Sequence, residues 1–530
     1  MIIKLSGNML RFLLCQSFAL LFMPIFAKAQ AQDCYSFSII VFEGNEAISS
    51  KKLYKIANKY IDRCLILEDI KESLIADILE LYQKNGYILA LPYFPDQNLA
   101  DGSLEIVIKE GILQDVVYDA EVLSSISVKS AFWGQKNNAL NMREIEKSLE
   151  ILNGSGAYVV KMDVAPGEES GYSNLLLDGQ RAKKYGGYIT ITNDYNTLDD
   201  TKFPKKEARV IIGGSIADLI INDSLSLSAN STLGEEKNKQ AGSFSANYRL
   251  PLGSWTLSLG NTTDLLKNVQ EQPNISITNR TNTFASYLEL SKVLSRGQIY
   301  KLSGNIKLNA YNTANYVDGL KLTFSSYDVY YEDFGLDYNL FFDRYSFNVG
   351  FTYTHGQPLF GQEAIGKNPQ EFEQNLFNMY GFTLNTTISF PEYKLSYGNN
   401  LITQYSNDVL YSFKDLSITG SGGVRGYEGV NYTWSSGFIN QNDITYRIWD
   451  FENPYIASIS AMFAIDFGAP IEEYSWRMLT SKGIPLFAWY TELKTSGKVS
   501  GSIGYGRPII KEEFVDKNQQ VIRFSLGYNF

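Results

Sequence analysis

The side chains best suited to chemistry are scarce in this chain. Among 530 residues there is one histidine, His355, and there are three cysteines, Cys15, Cys34 and Cys64. One imidazole argues against His-built metal sites and Ser–His–Asp catalysis. Thr354-His355-Gly356 carries no nucleophile motif around it and reads as a loop between two strands. No GxxxxGK followed by Ser or Thr occurs, so no phosphate-cradling loop is expected. With 47 Lys and Arg against 57 Asp and Glu, the net charge is −10. That balance is wrong for a nucleic-acid binder, which needs a basic patch. The expectation is a protein that is not an enzyme, with no cofactor, no metal and no nucleic-acid partner.

The thiols depend on compartment. Lys4 and Arg11, the apolar stretch 12–26 and Ala27-Lys28-Ala29 read as a signal peptide over residues 1–29. A membrane anchor is the alternative, but the apolar run is shorter than the roughly 20 residues a spanning helix needs. Removing the signal takes Cys15 and leaves Cys34 and Cys64. An even count in an oxidising compartment suggests a disulfide, with two buried free thiols as the alternative.

Two regions of different period must position whatever function there is. In the first, residues 32–180, short β-rich runs alternate with helical patterns. Ile70, Leu74, Ile78 and Tyr82 recur every fourth residue and Asn85-Gly86 supplies the stop, which predicts a helix. Strands are expected over 35–42, 87–92 and 104–108. A weaker repeat of the same order runs through 116–121, 128–132, 142–152, 158–164 and 174–177. Two small α+β modules follow, over 32–113 and 114–180.

From about residue 184 the period becomes two. Ile522, Phe524, Leu526, Tyr528 and Phe530 alternate with Arg523, Ser525, Gly527 and Asn529. Tyr300, Leu302, Ile306 and Leu308 do the same against Lys301, Ser303, Asn305 and Lys307. A soluble sandwich also alternates, but charges in mid-strand and aromatics such as Tyr300, Tyr353, Phe390, Tyr446 and Phe530, placed at expected strand ends, favour a transmembrane barrel. Residues 184–530 hold roughly sixteen strands of the usual length.

The chain resembles the outer-membrane transporters of two-partner secretion, of the haemolysin secretion/activation type, among the barrels that carry POTRA modules. The resemblance rests on Tyr82 with Asn85-Gly86-Tyr87, on Gln97, Gly102, Leu104 and Glu110-Gly111, on Pro166-Gly167 with Gly171 and Ser173, and above all on Val424-Arg425-Gly426-Tyr427. It implies tandem POTRA modules followed by a 16-stranded antiparallel transmembrane β-barrel, and the cysteine pair fits it. It also implies that the loop bearing Val424, Arg425, Gly426 and Tyr427 enters the barrel and that its arginine pairs with an acidic residue on the wall. Asp466, in Ala464-Ile465-Asp466-Phe467-Gly468, is the candidate, and alternation with Phe463, Ile465 and Phe467 turns it inward. Some members carry a plugging helix before the first module. Only residues 30–34 lie between the signal and the first expected strand here, so the folded loop is expected to do the sealing.

The function so implied is export of a large unfolded partner protein, captured by the modules in the periplasm and passed through the barrel of a monomer embedded in outer-membrane lipid. The alternative is a factor that inserts other barrels into the outer membrane. A passive porin leaves the modules unexplained.

Overall fold

The computed structural model describes residues 34–530 except 67, 69, 194–207, 234–238, 273–274, 359–375, 409, 428–432, 472–484 and 510–519. The expected signal peptide, residues 1–29, lies outside the described residues. The chain divides into two units at Glu110/Gly111.

In the first unit a three-stranded sheet runs in the order Ile39–Glu43, Ser103–Lys109, Leu91–Tyr93, with the first pair parallel and the second antiparallel. Two helical segments cover it: Ser50–Ala57, and a π turn Ile70–Leu74 that runs into the α-helix Ile75–Lys84. Ile70, Leu74, Ile78 and Tyr82 are all fully buried. Strict four-residue spacing drifts by about 40° per step on a 3.6-residue helix. The underwound π turn takes up part of that drift and keeps the stripe on the sheet. The helix ends where Asn85-Gly86 predicts. Gly86 has φ +94°, and the amides of Gly86 and Tyr87 return to the carbonyls of Gln83 and Tyr82 at 2.9 and 3.0 Å. Cys34 and Cys64 are joined by a disulfide that ties the short strands Cys34–Tyr35 and Leu65–Ile66.

The buried Tyr82 hydroxyl donates to Glu110 Oε1 at 2.6 Å, and the same carboxylate accepts the Ala47 amide at 2.8 and 3.0 Å. Burial, reinforced by this carboxylate, pushes the Tyr82 phenol above its ordinary range. Two widely separated pieces of the sequence motif thus meet in one hydrogen-bonded group.

The second unit begins with a copy of the same plan. Its sheet runs Ile112–Tyr118, Tyr172–Arg181, Tyr158–Pro166, with the same parallel and antiparallel pairings. Helices Ser125–Ala131 and Met142–Gly154 cover it, the latter capped by Asn141, whose side chain accepts the Arg143 amide at 3.0 Å.

The rest of this unit is a closed antiparallel barrel of sixteen strands, with a two-residue strand, Leu320–Lys321, in one of its hairpins. The spanning strands run from 8 residues, Tyr185–Thr192, to 22, Ile275–Arg296. Closure leaves no open edge, the condition for a sheet to sit in lipid. Phe463, Ile465, Ile522, Phe524 and Leu526 lie on the exposed face, while Ala464, Asp466 and Arg523 are buried on the inner one. No described helix is long and apolar enough to cross a membrane; the crossing elements are strands.

One placement corrects the sequence reading. His355 is not in a loop but inside the strand Tyr345–Pro358, opposite Asn378 and Glu332, with Nδ1 3.0 Å from Asn378 Oδ1. The strand continues past the aromatic Tyr353, which therefore does not mark its end, and Gly356 pairs within the ladder instead of turning the chain.

The second module is bonded to the barrel's short-turn rim. Asp218, at φ +50° in the turn between Ala208–Ala217 and Ser224–Leu233, accepts hydrogen bonds from Ser127 Oγ (2.7 Å) and Tyr158. Asn222 Nδ2 donates to the Ser127 carbonyl at 2.8 Å. Farther along the rim, Glu150 pairs with Arg296 at 2.6 Å and with Lys301 at 3.5 Å. Partial burial works against the Glu150 anion, but the two cations win and hold its carboxyl below the usual range.

Replacing Tyr82 by Phe removes a donor from Glu110 and is expected to cost about 1–2 kcal/mol within the first module. Hydrogen exchange of the full chain should then show amides in Ile75–Lys84 and Ser103–Lys109 exchanging about tenfold faster. Unchanged protection would mean that the Tyr82–Glu110 bond is not structural.

Candidate functional site

Three neighbouring strands, Gly437–Asp450, Ser458–Pro470 and Leu486–Ser496, put Asp443, Asp466 and Tyr490 on the inner wall. Register fixes their spacing. Asp466 faces Gln441 on one side and Ala488 on the other, while Asp443 faces Ala464, so the two carboxylates are diagonal neighbours. Between Leu395–Tyr405 and Gly437–Asp450, residues 418–427 of the connecting loop lie against this wall.

Arg425 lies at the tip of that loop. Its Nε donates to Asp466 Oδ2 at 2.7 Å, its Nη2 to Asp466 Oδ1 at 2.6 Å, and its own amide to Oδ2 at 2.9 Å. Nη2 also reaches Asp443 Oδ1 at 2.5 Å. Side-chain exposure is 10% for Arg425 and 0% for Asp466, against 34% for Asp443. A planar fork meeting a carboxylate edge-on is the strongest ion-pair geometry available to a protein. The Tyr490 ring lies 5.4 Å from the Arg425 guanidinium and 5.7 Å from that of Arg523.

The residues around the arginine make its approach feasible. A Cβ on Gly426 would meet Ala488 Cβ at 2.3 Å and the Arg507 backbone at 2.8 Å, so only glycine lets the loop lie this close. Val424 and Tyr427 are fully buried with Ile418, Ile439, Leu486 and Ala488, an apolar patch on the inner wall. The Val424 amide bonds the Ile418 carbonyl at 2.7 Å, and Gln441 Nε2 bonds the Gly423 carbonyl at 2.7 Å. All four residues of the Val-Arg-Gly-Tyr run therefore touch the wall or the loop's own core.

A second anchor was not read from the sequence. Before the tip, the loop lays Phe413 flat on Tyr311, with centroids 3.9 Å apart and planes 8° apart. Lys414 Nζ sits 3.6 Å from the Tyr331 ring centroid and 3.9 Å from Asp333 Oδ1. Leu410 is buried with Val329 and Phe377. This anchor uses Tyr300–Val317 and Tyr327–Phe341, strands remote in the barrel order from those that hold Arg425. The available signal was an aromatic and cationic run, Tyr411-Ser412-Phe413-Lys414, in a loop otherwise rich in Gly and Ser. Asp443 was missed as well, although period two from Gly437 would have turned it inward.

Chemically the described residues of the site offer two guanidiniums, Arg425 and Arg523, two carboxylates and a tyrosine ring. Among the described residues no group of three or more His, Cys, Asp or Glu is arranged to hold a metal. What the arrangement does is hold a loop.

Comparison with known proteins gives a consistent result. Residues 171–484 match the family described as haemolysin secretion/activation protein ShlB/FhaC/HecB, and residues 37–111 match the ShlB-type POTRA domain. The outer membrane transporter CdiB of Dickeya dadantii is 23% identical over 504 residues, covering 94% of this chain and 87% of that protein. The hemolysin transporter protein ShlB of Serratia marcescens is 22% identical over 424 residues, 79% of this chain and 73% of its own. Among solved structures, CdiB from Escherichia coli superposes with a TM-score of 0.84 at 21% identity, over 96% of this chain and 93% of that one. CdiB from Acinetobacter baumannii gives 0.80 at 19%, over 94% and 90%. These likenesses establish the fold.

Gly426→Ala should lift the loop tip without touching either charge. In planar bilayers the variant is expected to conduct more than the parent, and Asp466→Asn should do so more strongly than Asp443→Asn, because Asp466 takes three of the four bonds. Removing one partner of such a buried pair costs about 3–5 kcal/mol. Conductance identical to the parent in both Gly426→Ala and Asp466→Asn would mean that the loop does not restrict the pore.

Proposed function

Because the chain belongs to the haemolysin secretion/activation family of outer-membrane transporters, we propose that it exports a large secreted partner protein, unfolded, through its own barrel. The observation that carries this reading is the loop held inside the lumen by Arg425, Asp466 and Asp443. A permanently open diffusion pore has no use for a buried ion pair that keeps a segment in the channel, whereas a conduit for a polypeptide needs a removable obstruction.

Capture falls to the modules. Both sheets have edge strands: Ile39–Glu43 and Leu91–Tyr93 in one, Ile112–Tyr118 and Tyr158–Pro166 in the other, although Ile112 and Leu113 already bond residues 137–139 and Val160 already bonds the Asn153 side chain. Ile39, Val41, Leu91, Val117 and Val159 are exposed along them. An extended segment can add to such an edge through main-chain hydrogen bonds, with apolar side chains giving modest selectivity. This suits a partner that arrives unfolded. The lumen beyond is lined by Ser, Asn and Thr in cross-strand pairs, such as Ser228 with Ser245 at 2.8 Å and Asn400 with Gln441 at 3.1 Å. A wall of this kind lets a chain slide without offering it a lasting contact. With no nucleotide-binding motif, folding on the far side of the membrane supplies the direction.

The protein acts as a monomer in this reading, since the barrel closes on itself between Tyr185–Thr192 and Val521–Asn529. No covalent step is assigned to it. Cys34 and Cys64 serve the first module's fold, and Val424, Gly426 and Tyr427 serve to seat Arg425.

The substrate is identified as the protein lost from the culture supernatant when the gene is deleted in its host. Arg425→Ala, restored to that strain, is expected to lower its export about tenfold or more while the barrel remains inserted and heat-modifiable on gels. Export at the parental rate would refute the loop's role. A fall in many outer-membrane barrels with no missing secreted protein would replace export by barrel insertion.

A further inference from the structure

Between the helices of the second module and the rim of the barrel lies a cleft of about 690 Å³, lined on the module side by Ile126, Trp133 and Ile151 and on the barrel side by Ile221 and Leu252. We propose that this cleft binds a phospholipid of the periplasmic leaflet, with acyl chains against Leu252 and the phosphate at Lys129.

Register decides which side of the barrel the cleft opens to. Leu252 pairs with Trp255, and the alternation that exposes Trp255 and Leu259 puts Leu252 on the same outward face. The barrel wall of the cleft is therefore continuous with the lipid-facing surface. It lies at the short-turn end, where the second module is bonded, which is the level of the periplasmic headgroups.

The module side is equally out of place in water. Trp133 is 84% exposed and Ile126 60% exposed, both on a domain that has its own buried core. An indole is an interfacial group, apolar in its body and polar at its N–H, and concentrates where headgroups meet chains. Trp255 nearby keeps the same company, with the Lys292 ammonium 4.6 Å from its ring.

Charge completes the fit. Two lysines line the cleft, Lys129 and Lys147. Lys147 is neutralised by Glu144 at 2.6 Å. Lys129 is exposed and makes no ion pair among the described residues, so a phosphate would meet an uncompensated cation. An unfolded polypeptide is a poorer occupant. The walls are helices and turns with only the last residue of one barrel strand, Leu252, among them, so main-chain hydrogen bonds, the source of affinity for an extended segment, have little room to form.

The test places the photoreactive residue benzoylphenylalanine at Trp133 in the full chain, reconstituted in vesicles of phosphatidylethanolamine and phosphatidylglycerol. A heat-modifiable band first shows that the barrel has folded. After illumination, intact mass should show one phospholipid added, and Lys129→Glu in the same protein should lower the phosphatidylglycerol adduct about fivefold. The same probe at Trp255, facing lipid without the cleft, should be indifferent to Lys129→Glu. Absence of a lipid adduct, an adduct yield that ignores Lys129→Glu, or capture of a polypeptide at position 133 in exporting cells would each overturn the assignment. The first two outcomes leave export through the lumen untouched, and the third would move the polypeptide's capture site to this cleft.

Discussion

A guanidinium taken out of water between two carboxylates sets the terms for everything inside this barrel. Desolvating such ions costs several kcal/mol each, recovered only if the geometry leaves few donors idle. Asp466 answers that demand by taking Nε, Nη2 and the Arg425 amide together, with Asp443 on the next strand sharing Nη2. The wall is shaped to let this happen. Ala464 and Ala488 are small where the loop lies, and Gly468 is so close that a Cβ there would meet Ile418 at 2.6 Å. An ion pair of this kind is poorly suited to intermediate positions. With the tip seated the charges satisfy one another; with the tip lifted, water would have to take their place.

The second anchor changes what release must involve. Phe413 and Lys414 rest on Tyr311 and Tyr331, on a part of the wall well away from Asp466. The loop is thus pinned at both ends of its path across the lumen, by stacking at one and by charge at the other. A passing chain rich in aromatic or basic groups can compete with the first kind of contact, and hydration competes with the second. The module bonded to the rim through Asp218 and Glu150 sits where an incoming segment would first arrive, on the same unit as the barrel and without a long linker between.

Much of this was legible in the sequence because period is a strong signal. The switch at about residue 184 from mixed elements to strict alternation told of a sheet with two unlike faces, and alternation alone turned Asp466 inward. The Gly-centred motifs were legible as a resemblance and acquire physical reasons in the structure: Gly86 ends a helix, Gly426 permits a backbone approach, and Glu110 receives Tyr82. Gln97 belongs with them, its amide bonding both the carbonyl and the N–H of Glu105, at 2.8 and 2.7 Å, as a strand neighbour would. What was not legible is what depends on register across the barrel. That Asp443 lies diagonal to Asp466, or that Phe413 meets Tyr311 some hundred residues away, follows from the stagger of strands, which one sequence does not encode locally. His355 was misplaced for a related reason. Gly356 resembles a turn until its neighbours are seen to continue the ladder.

The claim on which the account stands is that the loop must leave the wall before a chain can pass. Ile418→Cys with Gly468→Cys places two thiols where the loop core touches the strand beneath it, a Cβ on Gly468 facing Ile418 Cγ2 at 2.6 Å, so that oxidation can join them. In cells whose supernatant is followed for the dependent secreted protein, export should stop when this bond is formed and resume when a reductant opens it, with the barrel present throughout. Export at the parental rate with the cross-link intact would contradict the account, because the chain would then be passing a loop that had not moved.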